Sequence, residues 1–343
     1  MTTQTIGISR PRRLPLPART TVGLLIALVL GYVIIAIPSG ELAQQQFINA
    51  LTIGALYALI ALGYTMVYGI IELINFAHGE VFMIGTFLAW RLITWMGYTG
   101  TISDPILLTG VMFVVFLVTM LLVGALGVVI ERFAYRPLRN APRLAPLITA
   151  IGVSFILQNI IFVGISNSVI TVPKLIPFDT ITIGPISIRV INLFVIVLAV
   201  LLMVALRLFT TRTRLGTAMR STAMDREAAQ LMGVDINRAI AITFFIGAAL
   251  AGAAGVVQTQ YLGVTNFRIG FQYGLFAFTA AVLGGIGNTT GAAVGGFVIG
   301  FLQVICAAWG YGRWNEAVIF TALILVLIFR PTGILGQEVA ERA

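Results

Sequence analysis

The sequence predicts an all-α fold, a polytopic integral membrane bundle of about eight to ten transmembrane helices. Two proportions support this prediction: 59% of the 343 residues are hydrophobic and only 10% are charged, whereas an ordinary soluble domain is about 25% charged. The third observation is the pattern, because short polar clusters separate apolar runs of roughly 15 to 25 residues, close to the length that crosses a bilayer. Together these observations exclude a water-soluble enzyme with a large polar domain.

Ten apolar runs are the candidate spans. In chain order they are Thr21–Ile37, Phe47–Ile70, Val81–Met96, Pro105–Ile130, Leu147–Ile165, Val190–Phe209, Ala239–Tyr261, Gly274–Leu283, Ala292–Trp309 and Ala317–Phe329. The eighth is too short to cross a hydrocarbon core of about 30 Å, so we expect it to include flanking residues. Eight spans with two re-entrant segments fit the same pattern.

The basic residues predict how the chain is oriented. If the N-terminus is inside the cell, sixteen of the 21 Lys and Arg residues fall on the cytoplasmic side, as the positive-inside rule requires. They are Arg10, Arg12, Arg13, Arg19, Arg132, Arg136, Arg139, Arg143, Arg207, Arg212, Arg214, Arg220, Arg226, Arg238, Arg330 and Arg342. Both termini are then cytoplasmic, and the net charge of +9 reflects this sidedness, with no implication of nucleic-acid binding.

This orientation divides the chain into three parts. Residues 1–20 are a cytoplasmic extension, 21–330 the transmembrane domain and 331–343 a cytoplasmic tail. The external loop 166–189 alternates β-branched residues and predicts a hairpin or a docking surface. The internal loop 210–238 is polar and rich in helix formers over Thr217–Leu231, which predicts a surface helix.

The segment INFAHGE, Ile74–Glu80, places Asn75, His78 and Glu80 between two apolar runs. Ionisable groups at membrane depth cost about 2.5 to 3.5 kcal/mol each, so they face protein or water. One interpretation is a broken helix that lines a substrate path. The other is a cytoplasmic turn whose polar groups cap helix ends. A metal site is disfavoured, because the chain has one His.

A second break is predicted at GGIGNTTG, which contains Gly284, Gly285, Gly287 and Asn288. The stretch lacks the preceding strand and the Lys of a phosphate-binding loop. We therefore interpret it as a tight break between two helices, which either lines the path or serves only as a turn.

Small residues recur four positions apart along two of the predicted spans. They are Gly247, Ala251 and Gly255, together with the pairs Gly291/Gly295 and Gly296/Gly300. Such spacing lets helices approach closely in lipid.

Several longer motifs, in the same order, resemble a known family. They are ALYALIALGYTMVYGI (55–70), INFAHGE (74–80), ERFAYRPLR (131–139), AFTAAVLGGIG (277–287) and RPTGILG (330–336). The chain is similar to the H-type (LivH) permeases of bacterial high-affinity branched-chain amino acid ABC importers from about Phe47 to its C-terminus. The N-terminal extension lies outside the resemblance.

The resemblance implies a permease subunit in the bacterial inner membrane, without catalytic residues or a cofactor. Its partners would be a second related (LivM-like) permease, two cytoplasmic ATP-binding subunits, a periplasmic or lipid-anchored binding protein and membrane lipid. The segment DREAAQLMGVD from Asp225 is similar to the importer loop that contacts the ATPase. The residues of this chain that match that loop are Arg226, Glu227, Ala228, Ala229 and Gly233.

Three alternatives remain at this point. The first is a permease of the same family for urea or short amides. The second is an ion-coupled secondary transporter, which usually needs intramembrane carboxylates. The third is an intramembrane enzyme using His78 and Glu80, for which no partner nucleophile is evident. The sequence does exclude ATP hydrolysis by a P-loop in this chain, because it has no G-x-x-x-x-G-K-[ST] motif. ATP-driven transport would therefore need a separate ATPase subunit.

Overall fold

The computed structural model describes residues 30–139, 141–142, 144–177, 179–183 and 186–336. Its elements up to the middle of the chain are α1 (Leu30–Ser39), α2 (Ala43–Ile71), α3 (His78–Trp95), α4 (Pro105–Ile130), α5 (Leu144–Gly164), β1 (Ile170–Thr171), β2 (Thr180–Ile183) and β3 (Ile186–Arg189). The later elements are α6 (Val190–Arg212), α7 (Arg214–Met224), α8 (Arg226–Leu231), α9 (Ile236–Leu262), β4 (Val264–Thr265), α10 (Ile269–Gly284), α11 (Thr289–Ala308) and α12 (Asn315–Phe329).

Within these residues, 7 helical segments are long and apolar enough to cross a membrane: Ala43–Ile71, Pro105–Leu138, Leu144–Gly164, Val190–Arg212, Ile236–Leu262, Thr289–Ala308 and Gly312–Phe329. Helices α1 and α10 are apolar but shorter. The predicted polytopic helical bundle is therefore confirmed, and the chain is a multi-pass membrane protein. The first predicted run falls only partly within the described residues, and the N-terminal extension and residues 337–343 lie outside them.

Small residues bring the central helices together. Gly296 and Gly300 of α11 lie against Ala58 and Gly54 of α2, so close that an added Cβ would meet α2 backbone. Gly255 of α9 lies in the same way against α3. These contacts are those that the four-residue spacing predicts, because packing rather than hydrophobic force drives helix association in lipid. Helices α2 and α9 are mostly buried, whereas α5, α6 and α12 expose most of their apolar surface.

One end of the bundle, called here the hairpin end, carries β2 and β3. These strands pair antiparallel with Ile181 opposite Ile188, which confirms the hairpin predicted for the loop 166–189. The segment before the hairpin is anchored to the bundle, because Leu175 N donates to Gln260 Oε1 at 2.8 Å. Two effects lower the pKa of nearby Lys174. The larger is its partial burial, and the smaller is the positive charge of Arg189.

The opposite end, called here the arginine end, carries α7 and α8. The single helix predicted for Thr217–Leu231 is wrong, because the structure has two helices separated at Asp225. Asp225 is extended (φ −158°), and its Oδ1 accepts from Ala228 N at 3.0 Å. Because Asp225 must be extended to cap α8 with its side chain, α7 cannot continue through it and ends at Met224.

Helix α10 begins inside the bundle. After α9 ends, Gly263 turns the chain in the left-handed region (φ 74°). Thr265 Oγ1 then lies 2.6 Å from Thr86 Oγ1, in the middle of α3. The short run Gly274–Leu283 includes flanking residues, as predicted, because α10 starts five residues earlier, at Ile269, and ends at Gly284. The polar residues Arg268, which precedes α10, and Gln272, in its first turn, lower the local hydropathy and concealed that start.

Candidate functional site

The INFAHGE segment re-enters the bundle. Helix α2 ends at Ile71, and Glu72 adopts the left-handed conformation (φ 54°) that reverses the chain. His78, the first residue of α3, is 1% exposed. A Cβ on Gly63 would lie 2.6 Å from His78 Cε1. Gly63 precedes Ile71 by eight residues, or about 12 Å along the helix, so His78 lies well inside the bundle.

Asn75 organises the re-entrant turn. Its Oδ1 accepts from Ala77 N at 3.1 Å and from the Tyr135 hydroxyl at 3.1 Å. Its carbonyl oxygen accepts from His78 N at 3.1 Å. Sequence reasoning missed Tyr135, although the residue stands in the ERFAYRPLR motif. The break between α2 and α3 is therefore attached to the helical extension of α4, a π-helix (Glu131–Tyr135) and a 3₁₀ turn (Arg136–Leu138), which is called here the turn that follows α4.

Glu80 is the second buried ionisable group of this segment. The residue is 1% exposed, and its Oε1 lies 3.5 Å from Ser154 Oγ on α5. Its Oε2 has no hydrogen-bond partner among the described residues. Glu80 lines a cavity of ≈ 270 Å³ between α3, α5 and α10. Glu80 was not among the predicted path residues, although its charge at membrane depth was the available signal.

The glycine break forms a turn held by the C-terminal segment. Gly285 (φ 108°) and Gly287 (φ 92°) adopt conformations that L side chains rarely reach. Asn288 accepts from Thr290 N at 3.0 Å, which caps α11, and its Nδ2 donates to Leu335 O at 2.8 Å. Leu335 N in turn donates to Gly284 O. These bonds place the RPTGILG motif directly on the break.

Helix α8 projects from the arginine end. Ala229 is buried, whereas Glu227, Ala228 and Gly233 are exposed. Gly233 has φ 84° and closes the helix, since Gly233 N donates to Gln230 O and Val234 N to Ala229 O. Leu231 and Met232, which sequence reasoning missed, are 89% and 85% exposed. The sequence signal that could have identified them is a Leu-Met pair directly before the Gly that ends the helix, in an otherwise polar loop.

Arg226 joins α8 to the end of α2, directly before the re-entrant segment. Its Nη2 donates to Ile70 O at 3.1 Å, at the C-terminal end of α2, where a cation is favoured by the helix dipole. A cavity of ≈ 550 Å³ lies between them and is lined by residues of both parts, among them Glu72, Tyr135 and Asp225. The structure thus places the predicted coupling residue Arg226 at the helix end that precedes the predicted path residues Asn75 and His78.

Glu131 and Arg139 are the first and last residues of the ERFAYRPLR motif. They form the only ion pair found within the described ranges, and Glu131 is 2% exposed. Arg139 Nη1 also donates to Asn237 Oδ1 at 2.6 Å, which ties the turn after α4 to the start of α9. No cluster of three or more His, Cys, Asp or Glu suitable for a metal occurs in the part of the chain that the structure describes.

A multi-pass bundle whose helices are interrupted at two breaks, one of which carries the buried polar residues Asn75, His78 and Glu80, defines the class of the protein, a membrane transport subunit. The family profile described as "Branched-chain amino acid transport system / permease component" matches residues 46–328, and the chain belongs to this family.

Curated relatives agree over nearly their whole length. The chain is 45% identical over 302 residues to the high-affinity branched-chain amino acid transport system permease protein BraD of Pseudomonas aeruginosa, covering 87% of this chain and 97% of the relative. It is 43% identical over 303 residues to the LivH permease of Escherichia coli K12, with the same coverage. A probable LivH of Methanocaldococcus jannaschii is 26% identical over 312 residues, which is 87% of this chain and 94% of the relative. No solved structure matches the chain significantly.

Proposed function

We propose that the chain is one membrane subunit of an ATP-driven importer for branched-chain or other neutral amino acids in the bacterial cytoplasmic membrane. The observation that supports this function is the 45% identity over 97% of a relative named as a high-affinity branched-chain amino acid permease. The subunits around it are a second related permease, two cytoplasmic ATP-binding subunits and a periplasmic or lipid-anchored binding protein. Substrate affinity resides in the binding protein, so this subunit need not bind substrate tightly.

The ATP-binding subunit docks on α8. Glu227, Ala228 and Gly233 are exposed there, beside the exposed apolar side chains of Leu231 and Met232. Large apolar side chains that stand in water at a helix end favour a protein partner, since burying each contributes about 1.5 to 3 kcal/mol. The arginine end is the cytoplasmic end in this assignment, as the positive-inside rule requires.

Motion of α8 reaches the substrate path through Arg226. Its bond to Ile70 O links α8 to the end of α2, directly before the segment that carries Asn75 and His78. The path runs beside Asn75 and His78. The glycine break with Gly284, Gly285, Gly287 and Asn288 lies at the same end of the bundle, where Gly287 approaches Gly69 of α2.

The function is tested by reconstituting the complete transporter in vesicles and measuring uptake of labelled leucine. We expect uptake to require ATP and the binding protein, and to be competed by valine and isoleucine but not by urea. Competition by urea in place of valine would assign the urea or amide permease instead. Uptake driven by an ion gradient without ATP would contradict the proposal and identify a secondary transporter.

The docking role of α8 is tested with Gly233→Arg and Glu227→Lys. Gly233 has φ 84°, so Arg is strained there and also adds bulk to the docking face. Both variants are expected to lower uptake at least tenfold and to weaken co-purification of the ATP-binding subunit. Arg214→Ala, which changes an exposed residue of α7, is the matched control. Full uptake by both variants would refute the coupling assignment.

A further inference from the structure

Two helices begin at the ≈ 270 Å³ cavity beside Glu80. The first turns of α3 and α10 both contribute to its wall, through Gly79 and Glu80 on one side and Gly270 and Phe271 on the other. Neither helix has a side-chain cap at its N-terminus. Helix N-termini that end inside a membrane protein attract anionic groups of substrates, because their N–H groups and dipoles carry partial positive charge.

Glycines allow the two helix starts to meet. A Cβ on Gly79 would lie 2.9 Å from Gly274 Cα, and one on Gly270 would overlap Glu80 Oε2. The carboxylate therefore occupies the space that a side chain on Gly270 would take. Both helices must lack a side chain at this contact for Glu80 to reach the cavity.

No cationic side chain of the described residues forms an ion pair with the Glu80 carboxylate. It is 1% exposed, its Oε2 has no hydrogen-bond partner among the described residues, and Oε1 has only the distant Ser154 hydroxyl at 3.5 Å. A buried charge without a partner is costly, and a bound cation would remove that cost. The rings of Tyr64 and Phe278, with centroids 6.0 Å apart, also border the cavity and add faces that attract an ammonium group.

Apart from Gln158 the remaining wall is apolar, and the cavity is small. Ile151 and Leu275 line it, so an aliphatic chain is accommodated without a polar partner. Its volume is just below the roughly 300 to 1,000 Å³ of pockets for drug-sized ligands, which suits a smaller molecule. A negative carboxylate, a positive helix start and an apolar wall together match the three parts of an aliphatic α-amino acid.

We propose that this cavity is a substrate subsite of the permease, in which Glu80 binds the α-ammonium group of the amino acid and the N-terminus of α10 binds its α-carboxylate. The inference rests on the proposed function and specifies where the substrate pauses within this subunit. It also gives Gly270 a role, because any side chain there would displace Glu80 from the cavity.

The test is substrate protection of a cysteine placed in the wall. The only native cysteine, Cys306, is replaced by Ala, and Ile151→Cys is labelled with N-ethylmaleimide in the assembled transporter without the binding protein. We expect millimolar L-leucine to slow labelling at least threefold. Isoamylamine, which keeps the ammonium group, should protect partially, and 4-methylpentanoate, which lacks it, should not protect. Ser168→Cys in the exposed loop at the hairpin end is the control that leucine should leave unchanged.

The variant E80Q should abolish leucine protection, and E80D should weaken it. If E80Q does not assemble, the comparison of leucine with 4-methylpentanoate in the Glu80 protein still decides the question. If the protein that retains Glu80 takes up leucine normally although leucine does not slow the labelling of Ile151→Cys, that result overturns the subsite and leaves the proposed function intact. Failure of leucine uptake in a fully assembled transporter would instead contradict the proposed function.

Discussion

Single residues fix the turn that follows α4. Glu131 is buried and forms an ion pair with Arg139, which also reaches Asn237. Removing one partner of a buried pair typically costs about 3 to 5 kcal/mol, because the other charge remains buried without compensation. We expect Arg139→Ala to lower the thermal stability of the detergent-purified complex by several degrees. The exposed neighbour Arg132→Ala is the matched control, and equal effects of the two would contradict the pair's structural role.

A close glycine contact fixes the position of His78. A Cβ on Gly63 would lie 2.6 Å from His78 Cε1 and 2.7 Å from Gly247 O. We expect Gly63→Ala to destabilise the protein by about 1 to 3 kcal/mol, the usual cost of overpacking. Gly152→Ala in α5 is the control, because no atom lies within 4 Å of its added Cβ. Thermal unfolding in detergent measures both, and a tolerated Gly63→Ala would show that the α2–α9 contact can open.

At the scale of the elements, Arg226 is the link between α8 and α2. Loss of its bond to Ile70 O should leave α8 able to dock but less able to move the re-entrant segment. We expect Arg226→Ala to reduce leucine uptake several-fold while the ATP-binding subunits still co-purify and hydrolyse ATP. Arg226→Lys should retain part of the uptake, because a cation remains at the end of α2. If Arg226→Ala instead loses both leucine uptake and co-purification of the ATP-binding subunits, Arg226 belongs to the docking face.

The glycine break offers a second test at this scale. Asn288 caps α11 through its oxygen and binds the C-terminal segment through its amide nitrogen. Asn288→Asp keeps the cap and removes the donor, whereas Asn288→Ala removes both. We therefore expect Ala to cost about 1 kcal/mol more than Asp. Unfolding midpoints of the two variants check this order, and equal midpoints would mean that the cap contributes nothing.

The sequence predicted the apolar helices and both breaks, but not where the helix beside a break begins or which residues it contacts. The predicted run Pro105–Ile130 coincides with α4, because that helix is apolar on all sides. The start of α3 was missed by three residues, since His78 and Glu80 lower the local hydropathy although the fold buries both. The contact between Arg226 and Ile70 joins residues 156 positions apart, which no local pattern encodes. Long-range polar contacts of this kind therefore cannot be predicted from the sequence pattern alone.

At the scale of the whole molecule, the arginine end defines the sidedness of the chain. The Arg residues of the turn after α4, of α7 and α8, and of the end of α12 all lie at that end, whereas Lys174 and Arg189 lie at the hairpin end. Translocation retains positive loops on the cytoplasmic side, so α8 should face the cytoplasm and the hairpin the exterior. This is also the only orientation in which cytoplasmic ATP-binding subunits can reach α8.

Cysteine accessibility in intact cells tests this orientation. In a Cys306→Ala background, Thr182→Cys in β2 should react with a membrane-impermeant maleimide added outside, whereas Thr217→Cys in α7 should react only after permeabilisation. Both side chains are exposed, so a difference in labelling reports the side of the membrane rather than burial. The reverse pattern would place α8 outside and exclude coupling to cytoplasmic ATPases, whatever the substrate. Labelling of both sites from outside would mean that the chain adopts both orientations, which the strong charge asymmetry argues against.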